Sequence, residues 1–172
     1  STVLTAESES HRGFVYRAQG RVQRVQAVEV SDAARQHLGF DRYYQIALTT
    51  VPEGRPLVLW TREIPSSWNI RRTIDEPVQA AGWFLQVGTG SSPPLCLASP
   101  RLAWFPDQVR ERISADEVSL AAAGMDISLF DQVRENNRRP LDARDRDCFY
   151  ALLGVVGRME SGDGFGDRGL QS

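Results

Sequence analysis

The two histidines of the chain, His11 and His37, are its only imidazoles, and most acid–base and metal chemistry would have to use one of them. A Ser–His–Asp or Cys–His arrangement needs the imidazole beside a nucleophile and an orienting acid. His11 falls in a polar segment and His37 in a connector, and neither has other metal-ligating residues at ligand spacing. We therefore predict no catalytic residue, no metal ligand and no enzymatic activity. A hydrolase is an alternative, and it requires a pocket that holds His37 against a serine or an aspartate.

All 20 basic residues of the chain are arginine, and lysine is absent. Schiff-base chemistry, P-loop phosphate binding and protein-kinase chemistry each need a lysine, so the composition excludes them. The segment Gly164–Gly169 has the spacing G-x-G-x-x-G, but no strand pattern precedes it and only three residues follow. It therefore lacks the helix whose N-terminus would hold a phosphate. We predict that the chain binds no cofactor.

The two cysteines, Cys96 and Cys148, do not form a C-x-x-C pair and cannot make a structural zinc site by themselves. One disulfide and two buried thiols are both compatible with the sequence, which leaves the redox compartment open. No apolar run reaches the length of a membrane span, so we expect none in this segment. Because residue 1 is Ser rather than Met, we expect the chain to be part of a longer protein.

The elements that must position any site are predicted to be five strands within residues 13–106. Valines dominate residues 14–30 without a strict period of two, and a bulge near Gln23-Arg24 reconciles them with one long strand. An amphipathic helix is the alternative there. Residues 43–50 and 57–62 flank a turn at 52–56 and are predicted to form a hairpin. Further strands are predicted at 78–87 and 94–99, and Gly82 marks a bend or a close neighbour.

Beyond residue 106 the pattern becomes helical. Ser114 and Glu117 fit a capping box and Gly124 fits a C-terminal cap, which predicts a helix over 115–123. Asp126 is expected to cap a second helix. A third helix is predicted over 142–156 with four residues on its apolar face: Phe149, Leu152, Leu153 and Val156.

Four regions result from these predictions. Residues 1–12 are expected to be a disordered lead-in, 13–106 a β-barrel, 107–157 a helical appendage and 158–172 a flexible tail. The predicted fold class is therefore mainly β with two or three short C-terminal helices.

Five strands, a bulged first strand and a short link between the third and fourth strands resemble the OB-fold, a small Greek-key barrel. Over residues 20–156 the chain also resembles uncharacterised, envelope-associated multi-segment proteins of GC-rich bacteria. The features that carry this resemblance are Tyr43-Tyr44, Ile64-Pro65, Glu76-Pro77-Val78, Gly82-Trp83-Phe84, Pro94–Ala98, Trp104-Phe105-Pro106, Asp126–Asn136 and Phe149–Leu153. The resemblance implies an OB-like module with a helical appendage inside a longer protein, and it favours the bacterial cell envelope over the cytoplasm. It implies no active site.

An OB-like barrel raises the expectation of single-stranded nucleic acid, which needs aromatic stacking platforms and arginines along a groove. The second and third strands supply Tyr43, Trp60 and Arg62. The formal net charge of −2 and the lack of clustered arginine on these strands make nucleic-acid binding the alternative function.

The preferred prediction is a non-catalytic protein-interaction or scaffolding module of a larger bacterial protein. Its partner would be another protein or a neighbouring domain of the same chain. Trp68, Trp83 and Trp104 are candidate interface anchors, with core packing as the alternative for each. Since Phe84 shares the parity of Val78 along the strand, Phe84 should point inward and Trp83 outward.

Overall fold

The structure, a computed structural model, describes residues 12–135 and 143–160. The chain divides between Trp104 and Phe105 into two compact units, a barrel unit and a helical unit. Residues 1–11 of the predicted lead-in, the link at 136–142 and the tail from 161 onward lie outside the described residues.

The barrel unit is built from six strands and one helix in its described part. They are β1 (Val15–Glu29), α1 (Asp32–Leu38), β2 (Arg42–Thr50), β3 (Pro56–Thr61), β4 (Pro77–Val87), β5 (Leu95–Ser99) and β6 (Ala103–Trp104). The strand order is β1-β2-β3-β5-β4, and a β4–β1 pairing closes the barrel. The β3–β5 pair is parallel and the other pairs are antiparallel. The short β6 adds to β4. The predicted fold class, mainly β with a closed five-stranded barrel followed by C-terminal helices, is thus confirmed.

Strand β1 serves two neighbours, because its first half pairs with β4 and its second half with β2. The β1–β2 register shifts between Val22 and Arg24, which confirms the predicted bulge. Val22 and Val25 are both buried as a result, although their spacing of three would place them on opposite faces of a regular strand. Gly20 pairs with both neighbouring strands, and a Cβ at this position would collide with the Thr49 carbonyl oxygen.

The barrel core is formed by alternate side chains of the strands. Its buried members include Ile46, Leu48, Leu57, Leu59, Val78, Phe84 and Leu97. Each such side chain contributes about 1.5–3 kcal/mol through burial. Gly82 lies on the same face of β4, and a Cβ there would be 2.8 Å from the Ala98 carbonyl oxygen of β5. This confirms that Gly82 admits a close neighbour.

The helical unit contains α2 (Ala115–Ala122), α3 (Leu129–Glu135) and α4 (Ala143–Glu160). The capping box of α2 is confirmed: the Glu117 N–H donates to the Ser114 hydroxyl at 3.2 Å, and the Ser114 N–H donates to the Glu117 carboxylate at 2.8 Å. Gly124 follows the C-cap with a φ of 89°, a conformation that glycine adopts without strain. The Asp126 carboxylate accepts the Ser128 N–H at 3.0 Å just before α3.

Helix α4 corrects two predictions. It continues to Glu160, through the start of the predicted tail. Its predicted apolar face is not the buried one, because Phe149, Leu153 and Val156 are exposed whereas Cys148 and Val155 are buried. Apolar residues occupy both sides of this helix, so helical spacing identifies two candidate faces and packing selects one of them.

Candidate functional site

The predicted nucleic-acid face lies on the outer side of β2 and β3. Tyr43 and Trp60 are half-buried there, and Arg62 is exposed just beyond the end of β3. The Arg62 guanidinium lies 4.8 Å from the centre of the Phe40 ring, in a cation–π contact. The Trp60 indole N–H is buried and has no hydrogen-bond partner among the described residues. These three residues therefore do not form the continuous groove of exposed aromatic rings and arginines that binding of single-stranded nucleic acid needs.

A cross-strand row on the outer barrel wall brings two tryptophans near each other. Ala98 of β5 pairs with Trp60 on one side and with Trp83 on the other, and Trp83 also pairs with Val15 of β1. Two strand spacings put the backbones of the tryptophans about 10 Å apart. Trp83 is 49 % exposed, so its predicted outward orientation is confirmed, as is the burial of Phe84.

Trp104 and Trp68 pack against each other, with ring centroids 6.0 Å apart in an edge-to-face arrangement. Trp104 is only 3 % exposed, and its indole N–H donates to the Glu76 carboxylate at 3.1 Å. Trp68 is half-buried. Trp104 is therefore a core residue with no surface to offer a partner, and of the three candidate anchors only Trp83 is substantially exposed.

A cavity of about 1020 Å³ opens where β1 begins, β4 ends and the β2–β3 hairpin turns. We call this region the barrel mouth. Its apolar lining consists of Tyr16, Ala18, Val51, Leu57, Ala80, Ala81, Phe84, Val87, Leu95, Leu97, Pro100 and Ala103. Its polar lining consists of Arg17, Gln19, Thr50, Glu53, Arg55, Gln79, Ser99 and Arg101. Mouths of β-barrels are common ligand sites, because they combine an apolar interior with a few polar groups at the rim.

The charge at the barrel mouth is opposite in sign to that of the whole chain. Arg17, Arg55 and Arg101 line it together with a single acidic residue, Glu53, whereas the whole chain has a formal net charge of −2. Within the described part of the chain, Arg17 and Arg55 form no ion pair. A local positive field at an apolar opening favours an anionic ligand.

The barrel mouth was not predicted from the sequence, although the predicted length of the first strand is a clue to it. The predicted first strand, residues 14–30, is much longer than its predicted neighbour, residues 43–50. Part of β1 must therefore extend past the end of β2. Which hairpin and strand residues line the opening beside that extension depends on barrel closure, which local sequence patterns do not report.

Helix α4 carries a second exposed surface. Phe149, Tyr150, Leu153 and Val156 all project from one side of the helix, with Phe149 53 % and Leu153 50 % exposed. We call these four residues the α4 stripe. Scattered apolar residues are ordinary on a protein surface, but a contiguous stripe at helical spacing is typical of a contact with another helix or groove.

Groups with catalytic potential are dispersed. His37 is exposed on α1, and its Nδ1 lies 3.1 Å from the Ala33 carbonyl oxygen, its one hydrogen-bond partner among the described residues. Cys96 and Cys148 are free, buried thiols in different units. Burial raises the pKa of both thiols, and the negative charges of Asp145 and Asp126 raise the pKa of Cys148 further. Each thiol is therefore held in its protonated, weakly nucleophilic form.

The described residues contain no group of three or more histidine, cysteine or acidic side chains that could hold a metal ion. None of the described helices combines the length and the hydrophobicity that a membrane span requires.

Comparison with known protein families, with curated proteins and with solved structures finds no match to this chain.

Proposed function

We propose that this chain is a non-catalytic protein-interaction module of a larger bacterial protein. The observation that carries the proposal is the α4 stripe, whose four large apolar side chains are 40–65 % exposed and project from a different side of the helix from the buried Cys148 and Val155. A stripe of this kind gains free energy only when another surface covers it.

The size of the stripe favours a partner that is held nearby. Completing the burial of the four side chains of the stripe gains about 1 kcal/mol for each, or about 4 kcal/mol in all. This is too little to overcome the entropic cost of associating two free proteins. It is sufficient for a neighbouring domain tethered in the same chain, because the tether raises the effective concentration to the millimolar range. A neighbouring domain of the parent protein is therefore the preferred partner.

Site-specific photo-crosslinking in cells that express the protein tests this proposal. A photoreactive amino acid at position 153 should yield one discrete adduct, mapped by mass spectrometry to another segment of the parent chain or to one partner protein. The matched control is position 147, because Asp147 is exposed on the same helix about 120° away from Leu153. Adding Phe149→Glu and Val156→Glu should remove the adduct.

Equal, diffuse labelling from positions 153 and 147 would contradict the proposal. Circular dichroism of the unlabelled Phe149→Glu/Val156→Glu protein controls for folding. Since both side chains are exposed, helix content should be unchanged.

Single-stranded nucleic acid is a second candidate, supported by the row in which Trp60 and Trp83 flank Ala98. Base–aromatic stacking on such a pair contributes about 1–3 kcal/mol per base. Titration with a fluorescent oligothymidylate at low salt should then show saturable binding that weakens as salt rises. The Trp83→Ala variant should lose that binding. Absence of binding at tens of micromolar protein would remove this candidate.

A further inference from the structure

The first half of β1 has one unpaired edge. In its antiparallel pairing with β4, the even-numbered residues turn their backbone groups toward β4, as shown by the Phe84 N–H donating to the Phe14 carbonyl at 2.9 Å. The odd-numbered residues turn theirs the other way, and the Gln19 carbonyl accepts the Val51 N–H at 2.9 Å on that side. Val15 and Arg17 lie farther along the same edge. Their backbone groups on this side have no hydrogen-bond partner in the described part of the chain.

This unpaired edge borders the barrel mouth. Residues Tyr16–Gln19 of β1 line one side of the cavity and residues of the β2–β3 hairpin line the other. A strand added along the edge would alternate its side chains between the cavity and the outer surface. On the cavity side it would meet Tyr16 and Ala18, and on the outer side it would lie beside Arg17. The position therefore combines free backbone groups, apolar space and positive charge.

The charges indicate the composition of the added strand. Arg17 and Arg55 form no ion pair within the described residues, so acidic side chains along the strand would gain charge-assisted contacts. A second copy of the chain fits poorly, because antiparallel pairing of two Val15–Arg17 edges would place the two Arg17 side chains diagonal to each other on the same face of the sheet. Neighbouring like charges in a sheet are unfavourable, and neither arginine would gain a carboxylate partner.

We infer that the barrel mouth binds an extended acidic peptide segment of a partner protein, which adds as a strand to the Val15–Arg17 edge of β1. Alternate apolar side chains of the peptide enter the cavity, and its carboxylates lie next to Arg17 and Arg55. This site is separate from the α4 stripe, so the crosslinking experiment above and the peptide experiment below can fail independently.

Fluorescence anisotropy with designed peptides tests the inference on the full chain. The probe is a labelled peptide of sequence Val-Glu-Thr-Glu-Val-Glu-Thr, and its control carries Gln at every Glu. The acidic peptide should bind saturably at low salt, and the Gln peptide should bind at least about fivefold more weakly. Arg17→Glu and Arg55→Glu should each weaken acidic-peptide binding about fivefold or more, since each reverses one contact. The matched control is Arg24→Glu: Arg24 is exposed on the second half of β1, pairs with Ala47 and does not line the cavity. It should leave the affinity unchanged.

Two further readouts separate strand addition from simple charge attraction. Amide hydrogen exchange at Val15 and Arg17 should slow when the peptide is bound, because their N–H groups gain partners. Two further peptides carry N-methyl groups on one or the other alternate set of backbone amides. Methylation of the amides that face β1 should abolish binding, whereas methylation of the amides on the opposite edge of the peptide should be tolerated.

Four outcomes would overturn the inference. One is equal affinity for the Glu and Gln peptides, and a second is an equal loss with Arg24→Glu and Arg17→Glu. The third is a twelve-residue oligothymidylate that displaces the peptide and loses affinity with Arg17→Glu and Arg55→Glu, which would assign the mouth to nucleic acid. Unchanged exchange at Val15 and Arg17 in a saturated complex would exclude the strand-addition geometry.

Discussion

Replacing Trp104 by phenylalanine should destabilise the barrel unit strongly, because this indole is both buried and hydrogen-bonded. Trp104→Phe removes the N–H that donates to the Glu76 carboxylate at 3.1 Å, in a place where both residues are about 3 % exposed. Loss of a buried hydrogen bond to a charged group costs about 1.5–3 kcal/mol. The smaller ring also leaves unfilled space against Trp68, which adds about 1 kcal/mol. We expect the free energy of unfolding to fall by about 2.5–4 kcal/mol, a large part of the 5–15 kcal/mol typical of a domain.

Urea denaturation followed by far-UV circular dichroism measures this loss without depending on tryptophan fluorescence. Trp83→Phe is the matched control, because the substitution is the same but Trp83 is 49 % exposed on the barrel wall. Its expected cost is below about 0.5 kcal/mol. A double-mutant cycle with Glu76→Met, which removes the accepting oxygen, isolates the contact, and the coupling between positions 104 and 76 should be about 1 kcal/mol or more. Equal costs for Trp104→Phe and Trp83→Phe, or zero coupling to Glu76, would refute this account of Trp104.

Other substitutions probe single features of the fold. Gly82→Ala should lower the free energy of unfolding by about 1–3 kcal/mol, since its Cβ would lie 2.8 Å from the Ala98 carbonyl oxygen. Ala81→Val, on the exposed side of the same strand, should change it by less than about 0.5 kcal/mol in the same denaturation assay. Gly157→Ala should raise the thermal midpoint of the helical unit, because no described atom outside the backbone of α4 lies within 4 Å of the new Cβ and alanine gains about 0.5–1 kcal/mol over glycine in a helix. The pKa of the Cys148 thiol is raised in the folded chain relative to the unfolded chain, where it is about 8.5. The contribution of Cys148 to the free energy of unfolding is therefore complete below the unfolded pKa and is lost as pH rises through the folded pKa. Stability measured from pH 7 to pH 10 should therefore decline above about pH 8.5, and more steeply in the natural chain than in Cys148→Ala.

The strands of the barrel were predictable because their signals are local. The hairpin around residues 52–56 is marked by turn residues between two β-rich runs, and it forms as β2 and β3. The bulge in β1 follows from valine spacing alone. The capping box of α2 likewise depends on two residues three positions apart, Ser114 and Glu117.

The candidate surfaces were less predictable because they depend on which of two possible faces the rest of the chain covers. In α4, Cys148 and Val155 face the interior while Leu153 and Val156 are exposed, although all four are apolar. Hydrophobic spacing cannot rank two such faces, since both have the helical period. The unpaired edge of β1 could not be predicted for a similar reason. The strands that pair with β1 are distant from it in sequence, and the lengths of those strands determine which backbone groups of β1 remain free.

The sequence by itself determined the order of the five barrel strands and the three C-terminal helices, the parity that points Phe84 inward and Trp83 outward, and the arginine-only basic chemistry of the chain. Tertiary structure alone decided that Trp104 is buried against Glu76, that α4 exposes an apolar stripe, and that Arg17 and Arg55 line one cavity. The physical reason is the separation along the chain over which each kind of interaction acts. Period, capping and turn chemistry act over a few residues, whereas burial and the convergence of charges require barrel closure between segments as far apart as β1 and β4.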